Sequence, residues 1–347
     1  MRFPSLGTKT KRSVTIKDVI EQMSERYSVD DQDLVRRAHL FSARAHHGQL
    51  RKSGEPYVVH PLAVAMILAE QRLDATSIAV GLLHDVLEDT QADSERVQEE
   101  FGEEVLSLVE GVTQISKISF TTREQEQAEN FRKLLLAMVE DIRVLFVKLA
   151  DRFHNMRTLA HLSPDAQLRN AHETMEIYAP LAQRLGMGRL QVQLEDLALE
   201  YSEPDAYRKL VKQVESQPRV RAAFIARVRS RIEEELSSQN IETRVEHRVK
   251  GYASLHKKLS ASVRELDQIY DVVAFRIITD NVKNCYAALG LVHGLWRPVP
   301  GRFKDFIAMP KSNMYQSLHT TVIDEGQPFE LQIRTEQMHQ VAEEGIA

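Results

Sequence analysis

The first half of the chain has apolar residues at intervals of three to four positions, which is the spacing of amphipathic helices. The helices that this pattern predicts span Ile16 to Tyr27, Asp31 to His47 and, roughly, residues 61–71, 76–89 and 94–109. The polar stretch 115–126 is expected to be mobile, and helices resume from about Glu126 to Leu159. An all-helical first domain is therefore predicted.

Prolines punctuate the helical region that follows. Ser163-Pro164 is typical of an N-cap with proline at the first helical position, and the helix that it opens runs to about Leu185. The segment 190–238 is also helical in pattern, with breaks at Pro204 and Pro218. We place a first domain at 1–165, a helical spacer at 166–200 and a second domain at 201–347.

The pattern changes after residue 240, where stretches rich in β-branched residues alternate with helical ones. Helices are predicted in YASLHKKLSASV and VKNCYAALGLVHGLW. Strands are predicted in IETRVEHRVK, YDVVAFRIITD, DFIAM, SLHTTVID and PFELQIRT. The second domain is therefore α+β, with a mixed sheet, and the fold class is multidomain α and α+β.

Composition indicates the class of protein and the cellular compartment to expect. Of 347 residues, 43% are hydrophobic and 27% charged, as in ordinary globular proteins, and no apolar run is long enough to span a bilayer. The single cysteine, Cys285, excludes an internal disulfide and fits a reducing compartment, and the N-terminus lacks the apolar core of a secretion signal. A cytoplasmic protein without a membrane partner is expected.

Charge is distributed unevenly. The net charge of −5 argues against general nucleic-acid binding, yet Lys and Arg cluster at 244–258 and at 297–311. Such clusters in an acidic protein favour a pocket for a polyanion such as a nucleoside triphosphate. The alternative is that these charges lie on solvated helix faces.

Two histidines and two aspartates in helical stretches form the first candidate site: His60, His84, Asp85 and Asp151. This mixed nitrogen and oxygen ligand set suits Mn, Fe or Zn, and such an ion makes hydroxide available near neutral pH, as a hydrolase requires. Glu88 and Asp89 lie four residues beyond His84 and Asp85, where they could perform acid/base chemistry. The alternative is a set of core histidines and an acidic helix cap.

Two acidic residues near predicted strands form the second candidate site. Asp271 and Glu330 could bind a Mg²⁺ ion that also binds the substrate phosphates. Phosphoryl transfer also needs a cationic lining, for which the candidates are Arg248, Lys250, Lys258, Arg302, Lys304, Lys311 and His319. Tyr315 could stack on a base. No Walker A motif is present, and both acids could instead be strand-edge or solvent-facing charges.

Three motifs of the first domain, HGQLRKSGEPYVVHPLAVA, GLLHDVLEDT and VKLADRFHNMRTL, resemble the HD hydrolase domain of the long Rel/SpoT family of (p)ppGpp enzymes. The resemblance, over about residues 30–165, implies Mn²⁺ bound by His60, His84, Asp85 and Asp151, with Glu88 and Asp89 serving the catalytic water. It implies nucleotide contacts by Arg51, Lys52, Ser53, Asn155 and Thr158. The implied reaction removes the 3′-pyrophosphate of ppGpp or pppGpp, giving GDP or GTP.

The second domain resembles the synthetase domain of the same family over about residues 190–347, through RVKGYASLHKK, YDVVAFRI, GRFKDFIAMPKSNMYQSLHTTVI and ELQIRT. That domain is similar to polymerase-beta-like nucleotidyltransferases and moves pyrophosphate from ATP onto the 3′-hydroxyl of GDP or GTP. The resemblance implies Mg²⁺ on Asp271 and Glu330, with Glu330 as a base. It implies that Arg248 lies against adenine and that Tyr315 stacks on guanine. It also implies that the ATP phosphates lie near Lys250, Lys258 and Lys304, and that GDP lies near Lys311, Asn313 and His319.

Details of the second domain refine the expectation. Arg302-Phe303-Lys304-Asp305 fits the RxKD pattern of bifunctional members, whereas Met314 stands where many relatives have glycine. The resemblance implies a catalytic half, with ribosome and tRNA contacts only through further C-terminal domains. The alternatives are a hydrolase whose second domain only senses nucleotides, and a non-catalytic nucleotide-binding module.

Overall fold

The computed structural model describes residues 13–23, 26–116, 141–261, 266, 269–311 and 314–344. The chain divides into two compact units, the first running to Tyr178 and the second beginning at Ala179. The division falls inside the segment 166–200. No helix among the described residues is long and apolar enough to cross a membrane.

The first unit is helical, as its periodicity predicts. Its described helices are α1 (Ile16–Met23), α2 (Val29–Ala45), α3 (Val59–Glu70), α4 (Ala75–Leu83), α5 (Val86–Asp89), α6 (Ser94–Ser116), α7 (Arg143–Arg157) and α8 (Pro164–Glu173). A 3₁₀ turn at Leu159–His161 precedes α8 and a π-helical turn at Thr174–Tyr178 follows it. The predicted segments 117–126 and 126–140 lie outside the described residues.

Helices α3, α4 and α7 pack against one another at the centre of this unit. Helices α3 and α4 are apolar around most of their circumference, and most residues of all three helices are buried, as expected of core helices. Val64, Ile78 and Leu145 are fully buried among them. The helices that carry His60 and Asp151, and the helix that ends just before His84, therefore lie in the hydrophobic core of the first unit.

The predicted helix 76–89 is interrupted, which corrects the expectation that His84 and Asp85 lie inside one helix. Helix α4 ends at Leu83, and Asp85 has φ −97° and ψ −4° before α5 begins at Val86. The Gly81 carbonyl accepts a hydrogen bond from His84 Nδ1 at 2.9 Å. A side chain that donates a hydrogen bond to a helical carbonyl competes with the backbone N–H groups for that acceptor. The helix break therefore occurs at the candidate site.

The second unit combines helices with one sheet. Its helices are α9 (Ala179–Arg184), α10 (Gly188–Ser202), α11 (Pro204–Ser216), α12 (Ala222–Ser238), α13 (Tyr252–Ala261), α14 (Val282–Leu295) and α15 (Glu336–Glu344), with a 3₁₀ turn at Pro218–Val220. Its strands are β1 (Thr243–Val249), β2 (Val273–Thr279), β3 (Arg297–Pro298), β4 (Lys304–Asp305), β5 (Leu318–Asp324) and β6 (Gln327–Thr335). The helix breaks before Pro204 and Pro218 are confirmed.

The sheet is mixed and has the strand order β1-β2-β6-β5-β3, with β4 beside β5. Strands β2 and β6 are parallel, with Ala274 opposite Glu330, and the other pairs are antiparallel. Along β6 the side chains alternate: Phe329 and Leu331 are buried in the core with Phe275. Glu330 consequently lies on the other face, which is free to carry a site.

The prediction of a strand at DFIAM was wrong. Only Lys304 and Asp305 pair with β5, and residues 306–308 form a turn. Asp305 Oδ1 accepts hydrogen bonds from the backbone N–H groups of Ile307 and Ala308, at 2.9 and 2.8 Å. An aspartate that bonds its own backbone two and three residues on stabilises a turn, and this local bond outweighs the apolar pattern.

Two candidate active sites

Three helices bring two imidazoles and a carboxylate together in the first unit. His60 lies in the first turn of α3, His84 follows the end of α4, and Asp151 lies in the middle of α7. One potential ligand atom from each residue lies within 4.8 Å of the other two, and all three residues are buried. Such a buried group of two imidazoles and a carboxylate could hold a divalent transition-metal ion.

Asp85 completes the predicted set of four. Its Oδ1 lies 3.1 Å from His84 Nε2, and its Oδ2 lies 3.5 Å from His60 Nε2. Asp151 Oδ1 lies 3.3 Å from His60 Nε2 and 3.9 Å from His84 Nε2. Both imidazoles therefore direct the same nitrogen, Nε2, toward both carboxylates.

The hydrogen bonds of His84 fit a metal ion. Its Nδ1 is engaged by the Gly81 carbonyl, and its buried Nε2 has no hydrogen-bond partner among the described residues. Burial disfavours the charged imidazole, but Asp85 and Asp151 raise the pKa of His84 to about 9, so the carboxylates favour a positive charge at this point. A metal ion on Nε2 would supply that charge and satisfy the nitrogen.

Asp151 is prepared as a carboxylate by its own helix. Burial alone would raise its pKa, but Lys148 and His60 hold the pKa well below the usual range. Lys148 Nζ lies 3.0 Å from Oδ2, and Asn155 Nδ2 donates to Oδ1 at 2.6 Å. Asp151 is thus ionised and oriented before any ligand binds.

A tyrosine that the sequence reasoning missed joins the candidate metal ligands to the candidate acid/base residues. The Tyr57 hydroxyl lies 2.8 Å from Asp85 Oδ2 and 2.5 Å from Asp89 Oδ2. Asp89 and Glu88 line a cavity of about 640 Å³ together with Gln49. The signal for Tyr57 was its position three residues before His60, in the turn that precedes α3.

Only some of the predicted nucleotide-contact residues of this site lie next to the candidate metal ligands. Arg51 donates to Asn155 Oδ1 at 2.9 Å, and Thr158 donates to the carbonyls of His154 and Asn155. Lys52 is exposed, and Ser53 donates to Glu55. Arg51 and Asn155 are therefore bound into the ligand cluster, whereas Lys52 and Ser53 lie in the loop outside it.

A second missed residue is His154, which lies one turn after Asp151. It is buried, and its Nδ1 is 2.7 Å from His60 Nδ1. Burial, together with the neighbouring His60 and Arg51, lowers the pKa of His154 to about 3. His154 is therefore neutral beside the candidate metal ligand.

The second unit holds a cavity of about 440 Å³ on the polar face of the sheet. Asp271 precedes β2 and Glu330 lies on β6, and the parallel pairing of these strands brings both acids into the cavity wall. Four more predicted residues line it: Lys258, Arg302, Lys304 and His319. Two carboxylates facing basic side chains form a site suited to a metal and phosphates.

Both acids of this cavity are held in the ionised state. Burial would raise the pKa of Asp271, but Lys250 and Lys258 lower it, with Nζ atoms at 2.6 and 2.7 Å from Oδ2. Burial would likewise raise the pKa of Glu330, and His319 Nδ1, 3.2 Å from Oε1, lowers it. A divalent ion would compete with these side chains for the same oxygens.

Other predicted residues lie around the cavity rather than in its described lining. Arg248 is half-buried on β1, and Lys311 Nζ lies 5.0 Å from the centre of the Tyr315 ring. The Tyr315 hydroxyl lies 2.8 Å from His319 Nε2. Asn313 lies outside the described residues. The sequence reasoning missed Tyr270, whose ring packs 5.0 Å from the Arg302 guanidinium in the cavity wall.

The backbone at Met314 has the left-handed conformation, with φ 62°. Because a Cβ atom costs about 1–2 kcal/mol in this region, Met314→Gly is expected to stabilise the second unit by about 0.5–1 kcal/mol after the entropy of glycine is counted. The measurement is the urea unfolding midpoint followed by fluorescence of the single tryptophan, Trp296, which is buried in this unit.

Met309→Gly is the matched control, since Met309 is also exposed, at 76%, and does not have a positive φ. It is expected to lower the midpoint. Equal losses for both variants would contradict strain at Met314.

Two family models match successive parts of the chain. A family model described as "HD domain" matches residues 38–188, and one described as "Region found in RelA / SpoT proteins" matches residues 247–347. A GTP pyrophosphokinase of Myxococcus xanthus is 50% identical over 329 residues, covering 94% of this chain and 44% of that protein.

Two further relatives are similar over the same region. The bifunctional (p)ppGpp synthase/hydrolase SpoT of Escherichia coli (strain K12) is 46% identical over 330 residues, covering 94% of this chain and 47% of that protein. A guanosine-3′,5′-bis(diphosphate) 3′-pyrophosphohydrolase of Vibrio cholerae is 46% identical over 332 residues, covering 95% and 47%. The chain spans less than half the length of each of these relatives.

Proposed function

Because the chain belongs to the Rel/SpoT family, we propose that it is a bifunctional alarmone enzyme of the stringent response. The first unit hydrolyses ppGpp or pppGpp to GDP or GTP and pyrophosphate. The second transfers pyrophosphate from ATP to the 3′-hydroxyl of GDP or GTP and releases AMP. The observation that carries the proposal is the pair of separate sites, one with a buried His-His-Asp cluster and one with two carboxylates among basic residues.

In the hydrolase site, His60, His84, Asp85 and Asp151 would hold Mn²⁺. The ion would lower the pKa of a bound water. Asp89 would accept the proton of that water, and Glu88 would assist this proton transfer. The Tyr57 hydroxyl would orient Asp89. Nucleotide contacts come from Arg51, Lys52, Ser53, Asn155 and Thr158. Arg51, whose guanidinium already bonds Asn155, would place the 3′-pyrophosphate beside the ligand cluster.

In the synthetase site, Asp271 and Glu330 would hold Mg²⁺ against the phosphates of ATP. Glu330 would take the proton of the attacking 3′-hydroxyl. Basic residues would neutralise the transferred pyrophosphate, namely Lys250, Lys258, Arg302 and Lys304. Arg248 would contact adenine and Tyr315 guanine, with Lys311, Asn313 and His319 near the acceptor nucleotide. The substrates are cytoplasmic nucleotides, so a cytoplasmic location accords with this proposal.

Two incubations test the proposal. Purified chain is mixed with ppGpp and Mn²⁺, and separately with ATP, GDP and Mg²⁺, and the nucleotides are resolved by anion-exchange chromatography. GDP is expected in the first tube, and ppGpp with an equal amount of AMP in the second, because each transfer releases one AMP. EDTA is expected to abolish both reactions.

The outcome also separates the alternatives. GDP in the first tube with no ppGpp or AMP in the second would leave a hydrolase whose second unit only senses nucleotides. No turnover in either tube, with nucleotide binding retained, would favour a non-catalytic module.

A further inference from the structure

His154 lies between a residue that would contact the nucleotide and a residue that would bind the metal. Its Nδ1 is 3.3 Å from Arg51 Nη1 on one side and 2.7 Å from His60 Nδ1 on the other. The three side chains come from a loop, from α7 and from α3, so only the tertiary structure brings them together.

Counting donors determines the protonation pattern of this chain of contacts. A guanidinium can only donate hydrogen bonds, so His154 Nδ1 must be an acceptor and carry no proton. The His60 Nδ1 that faces the same atom must then carry a proton and donate it. His60 Nε2 is consequently left with its lone pair, and this is the nitrogen that faces Asp151 and Asp85.

We propose that His154 is a positioning residue that holds His60 in the tautomer with Nε2 free to bind the metal, and that it couples Arg51 to the metal site. A metal-bound histidine commonly depends on a hydrogen bond at its other nitrogen for its orientation and basicity. Here that partner is an imidazole shared with the arginine.

A second path runs in parallel from the same arginine. Arg51 Nη2 donates to Asn155 Oδ1 at 2.9 Å, and Asn155 Nδ2 donates to Asp151 Oδ1 at 2.6 Å. Arg51 thus reaches two of the metal ligands, His60 and Asp151, through one residue each. Whatever orders Arg51 should strengthen metal binding, and by reciprocity the metal should order Arg51. The link to nucleotide binding rests on the proposed function, whereas the link to the metal does not.

The test measures Mn²⁺ affinity by titration calorimetry on the whole chain, without nucleotide. The relevant binding event is identified as the one that His84→Ala removes. His154→Phe, which cannot accept a hydrogen bond, is expected to weaken this event by about 10–100-fold. His154→Asn places an acceptor oxygen where Nδ1 lies and is expected to retain the affinity within about threefold.

Controls separate positioning from misfolding. The circular dichroism spectra and melting temperatures in EDTA should match those of the wild type, and His47→Phe, at an exposed histidine of the same unit, should bind Mn²⁺ normally. Wild-type affinity in His154→Phe, or equal weakening in His154→Asn and His154→Phe, would overturn the proposal.

A double-mutant cycle tests the coupling to Arg51. Arg51→Met is expected to weaken Mn²⁺ binding, and to weaken it less in the His154→Phe background, because one of the two paths is then absent. Additive losses would overturn the coupling. Failure of the chain to hydrolyse ppGpp would count against the proposed function but would leave these metal affinities unchanged.

Discussion

Replacement of His84 by alanine is expected to lower kcat for ppGpp hydrolysis by about 10³-fold or more, an increase of about 4 kcal/mol in the barrier. His84 Nε2 is buried, lacks a hydrogen-bond partner among the described residues and faces both carboxylates of the cluster. Its loss removes a ligand that no neighbouring side chain replaces at the same point. Pyrophosphate transfer should stay within about twofold, because its residues belong to the other unit.

A more conservative substitution guards this prediction against misfolding. His84→Asn retains a donor for the Gly81 carbonyl but lacks the Nε2 atom, so it should keep the local helix end and still lose hydrolysis. His47→Ala, at an exposed histidine of the same unit, is the matched control and should hydrolyse ppGpp at the wild-type rate. Hydrolysis by His84→Asn at more than a tenth of that rate would be incompatible with a metal ligand at this position.

Asp271→Asn and Glu330→Gln are each expected to lower the initial rate of ppGpp synthesis by about 10³-fold while hydrolysis persists. Both substitutions keep the size of the side chain and remove its charge. An amide in place of the Asp271 carboxylate would leave Lys250 and Lys258 without their anionic partner, and neither amide can hold Mg²⁺ as a carboxylate does. The measurement is AMP release from ATP and GDP at saturating Mg²⁺.

Glu242→Gln is the matched control for the second site, because Glu242 is exposed just before β1. It should leave both activities unchanged. If Asp271→Asn synthesised ppGpp as fast as the wild type, Asp271 would be only a structural partner of the two lysines. Loss of hydrolysis together with synthesis in Glu330→Gln would contradict the assignment of the two reactions to separate units.

Hydrophobic periodicity predicted most of the secondary structure because burial dominates it. The central helices α3, α4 and α7 and the strands β2, β5 and β6 all appear where apolar residues recur at the expected spacing. Errors arose where a local polar bond opposes this pattern. The Asp305 carboxylate stabilises a turn in the apolar stretch that follows it. The His84 imidazole interrupts a helix that the hydrophobic periodicity predicts to be continuous.

The candidate residues were found because chemistry-bearing residue types occur in unusual local patterns. The structure places His60, His84, Asp85 and Asp151 close together, and Asp271 and Glu330 line one cavity. Tyr57, His154 and Tyr270 were missed, since a single tyrosine or histidine next to a motif is most often part of the core. Their contacts with the candidate metal ligands and with Arg302 form only when segments far apart in the chain pack together.

By itself, the sequence determined most of the helices and strands, which residues are available as ligands, and the resemblance to one family. These properties depend on neighbours within about one or two helical turns. The tertiary structure alone decided that Arg51, His154 and His60 form one chain of hydrogen bonds, and that Glu330 and Asp271 line the same cavity, with β6 paired parallel to β2. Such contacts join residues far apart in the chain, and no local pattern encodes a distance between them.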